Sequence, residues 1–325
     1  MSTNPPSGHL HAPNASPLVR EMADTYYVWR DKQIAQDRDD LPEALWHYTN
    51  LGGLKGILGS KTLWATHVHH LNDTSEFSYG IAIALRHLEE AVKGVKSDTA
   101  LRILTGLTAD GGTALKGYFG KRPDLYVTCF CAEGDLLSQW RGYTETNTGA
   151  GAYALKFEPG DPHVWATAAN LDLRLRKVIY DPARQEQLCG DIVHRLVGVL
   201  EQDSTDMEVM NEFAYRLEDA VVDFATACKH PGFVEEKEWR LIYRHEPKLS
   251  APELKYRDSG GTLVPYVALK LPEAGGSGHG RPLPVYEILV GPGGNQAGHA
   301  SDLRLYLDQN GMGDIISTCS DTPYR

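Results

Sequence analysis

Apolar positions along this chain change period several times, and each change marks an expected element. Leu18, Met22, Tyr26 and Trp29 recur at helical spacing, and that stretch ends in the charged run Asp37–Asp40 before Pro42. From Leu45 the pattern turns mixed: a short strand at Leu45–Tyr48, a short helix at Leu51–Leu58 stopped by Gly59, and a second strand at Leu63–Thr66. Phe77, Ile81, Ala84, Leu85 and Leu88 make an apolar stripe on a helix over Ser75–Val92. Strands are expected at Tyr126–Cys131 and Ala152–Phe157, then two long helices near Pro182–Glu201 and Met207–Cys228. The strands Leu263–Leu269 and Tyr286–Val290, a helix at Asp302–Asn310 and a strand at Ile315–Cys319 complete the series.

This order predicts an α+β protein. Residues 1–16 lack periodicity and read as a disordered leader; 17–40 read as an appended N-terminal helix. Residues 41–325 read as one domain with a split central β-sheet and a helical insertion at about 180–228. The glycine-rich stretches at 259–261 and 275–280 join strands and carry no boundary signal.

Charge narrows the partners. With 32 basic and 43 acidic residues the 325-residue chain carries a formal charge of -11, so no long-range field gathers nucleic acid. Arg174, Arg176 and Lys177 offer a local basic patch, or simply a solvated charged face. The five cysteines are odd in number and form no zinc or disulfide framework; Cys129 and Cys131 read as small buried hydrophobes. No signal-peptide pattern and no apolar run of about 18 residues is present, so the expectation is a cytoplasmic protein without a membrane partner.

The richest segment for chemistry is Phe233-Val234-Glu235-Glu236-Lys237-Glu238-Trp239-Arg240. On a strand, Glu236, Glu238 and Arg240 share one face, which suits either a polar cleft or an edge strand with a solvated face. His47-Tyr48-Thr49 ends the first strand ahead of a short helix, a ligand-binding position and equally a place for a structural histidine. Asn72 precedes the helix at Ser75 and reads as its cap. Trp140, Arg141 and Tyr143 form a set that can stack on a heterocycle and pair with a phosphate, or anchor a surface. His67 and His69 have no compact third ligand, so no metal is assigned. Gly291-Pro292-Gly293-Gly294 reads as a turn, and Ser138 lacks a GxSxG context.

The ordered set His47-Tyr48-Thr49, Gly56-Ile57-Leu58, Leu63-Trp64-Ala65-Thr66, Leu71-Asn72-Asp73, Glu76-Phe77, Cys129-Phe130, Trp140-Arg141, Lys229-His230, Phe233-x-x-Glu236-x-Glu238-Trp239-Arg240 and Pro323-Tyr324-Arg325 resembles a bacterial family, domain of unknown function 2971. That family is similar in layout to the ADP-ribosyltransferase superfamily. The resemblance implies a split sheet of ADP-ribosyltransferase type and NAD as substrate. It also implies transfer of ADP-ribose to an unknown acceptor, whether protein, nucleic acid or small molecule, as in a toxin or phage-defence effector. His47 then matches the strand-end histidine that meets ribose and nicotinamide, and Glu238 the late catalytic acid, with Glu236 acting on the acceptor. Tyr48, Trp64, Tyr126 and Tyr143 compete to stack on nicotinamide, and Thr49, Asn72, Trp140, Arg141 and Arg240 join the cofactor-binding set. An NAD glycohydrolase and a non-catalytic nucleotide-sensing or protein-interaction module are the other readings.

Overall fold

In a computed structural model the residues described are 15–71, 75–119, 125–143, 151–158, 173–245, 251–259, 261–270 and 284–323. They divide into two compact units.

The first unit is helical and takes residues up to Gln33, 78–121 and 181–228. It contains most of α1 (Pro17–Asp39), most of α3 (Ser75–Val92), α4 (Asp98–Phe119), α6 (Pro182–Gln202) and α7 (Met207–Ala227). The pair α6–α7 falls in this unit together with α4 and most of α1 and α3. Asp181 caps α6 through Ala183 and Arg184 with Pro182 in the first turn, the arrangement that fixes a helix start. Leu188, Ile192, Leu196 and Val199 are buried on one side of it. Tyr26 donates to Asp223 at 2.5 Å and the Trp29 indole to the Leu188 carbonyl at 3.2 Å, so the two buried aromatics of α1 have their polar atoms satisfied. No periodicity had marked α4, which breaks at Ala109–Gly112, where Gly111 and Gly112 take positive φ.

The second unit holds the sheet. Its strands are β1 (Leu45–Asn50), β2 (Leu63–His67), β3 (Leu125–Cys131), β4 (Ala152–Phe157), β5 (Leu173–Lys177), β6 (Glu238–Arg244), β7 (Leu254–Ser259), β8 (Thr262–Leu269), β9 (Val285–Val290) and β10 (Ile316–Cys319). The main path runs β10-β9-β4-β1-β3-β2-β8-β7, and only β9–β10 is parallel. The sheet is mixed and the protein is α+β. No helix among the described residues is long and apolar enough to cross a membrane.

β3 organises this sheet. One edge pairs with β6 over its whole length, from Leu125↔Arg244 to Cys131↔Glu238. The other edge is shared: β1 meets it at Trp46↔Cys131, and β2 meets it at Thr66↔Val127 and His67↔Tyr126. Between those two contacts β1 and β2 diverge and the sheet forks. α2 (Leu51–Ser60) leads from one prong to the other, capped by Asn50 accepting from Gly53 N at 3.0 Å.

Two strands escaped the sequence reading for clear reasons. β5 reads Leu-Arg-Leu-Arg-Lys, too charged for an interior strand, yet Arg176 is buried against Asp37 at 2.5 Å. Of the three basic residues read either as a local patch or as a solvated face, Arg176 is thereby a buried structural partner, and Lys177 bonds to Asp40 at 2.9 Å. β7 is exposed along most of its length, so it lacks an apolar alternation.

Candidate functional site

β6 is an interior strand, flanked by β3 and β5, which overturns the edge-strand reading of its acids. Trp239, Leu241 and Tyr243 enter the apolar core with Phe130 and Tyr126. The alternate positions Glu238 and Arg240 face the other way, beside Cys131 and Cys129. Glu236 departs from the expected strand. Pro231–Glu236 is a 3₁₀ turn opened by Pro231, and Lys237 takes φ +46 before the strand begins. Glu236 reaches Glu238 through that turn and not through strand alternation.

The three residues belong to a buried ion cluster. Lys229 Nζ lies 2.8 Å from Glu76 Oε1, 2.5 Å from Glu236 Oε2 and 3.1 Å from Glu238 Oε2. Arg240 grips Glu238 with two bonds of 2.9 Å and also donates to Glu76. The Glu238 amide donates to the Tyr180 hydroxyl at 3.0 Å. Among the described residues three carboxylates face two cations, a formal excess of one negative charge. Burial of this kind survives only with such dense pairing.

Environment separates the two acids. Burial opposes ionisation of Glu238, but Arg240 and Lys229, with a bond from the Cys129 thiol, hold its carboxyl down at about 2. Glu236 keeps 29% of its side chain exposed against 6% for Glu238. Its carboxyl is raised, because burial and the neighbouring carboxylates outweigh Lys229. Burial also works against the Lys229 ammonium, and the surrounding acids, Glu238 first, more than reverse it. The Cys129 thiol is pushed up by burial and by Glu238, so it is no thiolate nucleophile.

The cluster lines a cleft of about 230 Å³ together with residues of the forked strands. β1 contributes Trp46 to Thr49, β2 contributes Trp64 and Thr66, and β3 contributes Val127 to Cys131. His47 donates from Nδ1 to the Cys129 carbonyl at 2.8 Å, which fixes Nε2 as the acceptor, and burial keeps the ring neutral by lowering its pKa. Arg257 donates to Thr66 at 3.0 Å and lies 5.8 Å over the Trp64 ring. The indole of Trp64 rests on Gly56, where a Cβ would come within 2.4 Å of it.

Sequence-expected residues separate here into several groups. His47, Thr49, Trp64, Glu236, Glu238 and Arg240 all border the cleft. Tyr48 contributes to its wall, but its hydroxyl is bonded to the Glu133 carbonyl and the Leu136 amide. Tyr126 packs in the core and does not line the cleft. Trp140 is sealed, 1% exposed, edge-on to Tyr48 and bonded to Asp135 at 2.6 Å, while Arg141 is exposed and outside the cleft. Neither is a ligand platform: one turn of α5 (Leu137–Tyr143) buries Trp140 as an anchor and turns Arg141 to solvent. Asn72 and the Tyr143 side chain lie outside the described residues.

His47 and Glu238 are not on adjacent strands, because β3 runs between them. The register sets Trp46, not His47, on the face of Cys131 and Glu238. His47 therefore borders the cleft from the alternate side of β1, through the gap where the sheet forks. Glu76, Lys229, Thr66 and Arg257 were not among the expected ligand residues. Lys229 and Glu76 stood in the motif series, but nothing in their spacing showed that they close on Glu238.

The family model described as "Protein of unknown function (DUF2971)" matches residues 139–241. That span includes Lys229, Glu236, Glu238 and Arg240, and leaves His47, Trp64 and Glu76 outside it. No curated protein and no solved structure matches the chain.

Proposed function

We propose that this cleft takes the nicotinamide–ribose end of NAD and breaks the bond between them, delivering ADP-ribose to an acceptor. The observation that carries the reading is the pair Glu236 and Glu238, joined through Lys229 and displaced in opposite directions by their surroundings. Two carboxylates tuned apart in one cleft supply an acid–base group and a permanently ionised group.

The step balances with these groups. The C1′–N bond breaks and its electron pair leaves with nicotinamide, which departs neutral and needs no proton. The ribose carbon becomes oxocarbenium-like, and the negative excess around Glu238 stabilises that charge. A nucleophile bonds to C1′ and passes its proton to Glu236, whose raised pKa makes it a stronger base. His47 Nε2 is an acceptor for a ribose hydroxyl or the nicotinamide amide, and Trp64 brings its indole to the cleft beside Arg257 and Tyr266. A volume of about 230 Å³ is below the roughly 300–1,000 Å³ of ordinary ligand pockets. It suits one heterocycle and its sugar, with the rest of the dinucleotide outside. Water as the nucleophile gives the glycohydrolase; a protein, nucleic acid or small molecule gives the transferase.

Two observations favour a second reading, a nucleotide sensor without turnover. Glu238 is 6% exposed and gripped twice by Arg240, and His47 approaches from the alternate side of β1. Purified protein incubated with nicotinamide-labelled NAD decides between them. Release of label supports the enzyme, whereas saturable binding with the label intact supports the sensor.

A further inference from the structure

The helical unit carries a histidine whose ring stands against a carboxylate without a formed hydrogen bond among the described residues. His87 on α3 has both ring nitrogens shut from solvent, and neither has a hydrogen-bond partner among the described residues. Leaving such atoms unpaired costs on the order of 1–3 kcal/mol, so a buried imidazole normally finds a donor or acceptor. The nearest anion, Glu186 Oε2, lies 2.9 Å from Nε2 but off the line of a hydrogen bond. Arg86 takes the other oxygen of Glu186.

The surroundings form a pattern on two helices. His87 and Glu90 are three apart on α3, so they project from one side. Glu186, Gly190 and His194 follow at four-residue steps on α6, a single stripe. Gly190, at its centre, makes room for the imidazole: a Cβ there would sit 2.9 Å from His87 Cε1 and 3.1 Å from Nδ1. One ligand atom each from His87, Glu90 and His194 lies within 4.8 Å of the others.

We infer that His87, Glu90 and His194 form a binding site for a divalent transition-metal ion. Two imidazoles and one carboxylate suit zinc, cobalt or nickel better than calcium or magnesium, which prefer all-oxygen sites. Metal–ligand bonds of roughly 2.0–2.2 Å require the three atoms to close somewhat, and exposed Glu90 and His194 are free to rotate inward. Glu186 stands beside His87 as a further carboxylate, either completing the coordination or orienting the ring. An ion there would tie α3 to α6. No compact spacing marks the site, because His194 lies far from His87-x-x-Glu90 along the chain.

Untagged full-length protein, stripped with chelator and dialysed, is titrated with cobalt(II) while the visible d–d absorption is followed. The expected result is saturation at one equivalent per chain and displacement by zinc. Glu90→Gln and His194→Ala should each weaken cobalt binding by at least about tenfold without unfolding the protein, since both side chains are exposed. Gly190→Ala should weaken it as well by shifting the His87 ring. No d–d absorption, or absorption that persists at unchanged affinity in Glu90→Gln and His194→Ala, would overturn the site.

Discussion

Glu236 and Glu238 share the ammonium of Lys229, at 2.5 and 3.1 Å, yet the protein treats them oppositely. Glu238 opens an interior strand and is locked by Arg240; Glu236 hangs from a 3₁₀ turn and keeps a path to solvent. One residue of backbone in the left-handed region, Lys237, brings both to the same cation. Such strain at a polar cleft accords with a site in which position matters more than local backbone comfort.

Glu238→Gln is expected to cost stability first. The substitution leaves Arg240, 3% exposed, with Glu76 as its remaining carboxylate among the described residues, and breaking a buried pair typically costs about 3–5 kcal/mol. The remaining partner places the expected loss near the lower end, about 3 kcal/mol. Urea unfolding followed by circular dichroism measures it. A loss under about 0.5 kcal/mol, the usual range for surface changes, would mean that the cluster does not hold the strand in place.

Acid should unfold this protein through the same residue. The folded pKa of Glu238, about 2, lies below its ordinary 4.5, so its contribution is present above 4.5 and is lost as pH falls toward 2. That difference corresponds to about 3 kcal/mol. Glu236 has the reverse sign: its raised pKa makes it a small liability above its ordinary range. Stability measured from pH 5 to pH 2 should therefore fall more steeply in the wild type than in Glu238→Gln. Parallel curves would show that Glu238 does not dominate the transition.

Trp64 and Trp140 should separate cleanly. Trp64 borders the cleft, and losing an aromatic face that stacks on a base costs on the order of 1–3 kcal/mol of binding. Trp64→Leu is expected to weaken NAD binding at least about fivefold. Trp140→Phe removes the bond to Asp135 and should lower the melting temperature while leaving binding unchanged. Calorimetric titration with NAD checks both, and equal effects on binding would remove Trp64 from the ligand platform.

Much of the fold was legible because apolar period and capping agree. The first strand, the capped helix after it, β3 and the two long helices all carry unbroken signals. The fork was harder to read, since it depends on one edge of β3 being divided between β1 and β2, a tertiary choice no local pattern states. Charged β5 was missed because its arginine is neutralised by Asp37 from distant sequence. At the site, His47, Glu236 and Glu238 were visible from residue type and order. Trp140 misled because an aromatic beside an arginine looks the same whether it faces a ligand or a core. Glu76 closes on Arg240 only through tertiary structure, so no spacing announced it.

The central claim rests on Glu236 as the base that accepts the nucleophile's proton. The most direct measurement is the pH dependence of ADP-ribose release from NAD, with water as the nucleophile, by wild type and Glu236→Gln, both verified as folded. Protonated Glu236 cannot accept a proton, so wild-type kcat/KM should climb as pH rises through the raised pKa and then level off. Glu236→Gln should be slower by about 10²–10⁴-fold and lose that limb. Absence of release by the wild type across the range, or a folded variant matching its rate and profile, would contradict the account.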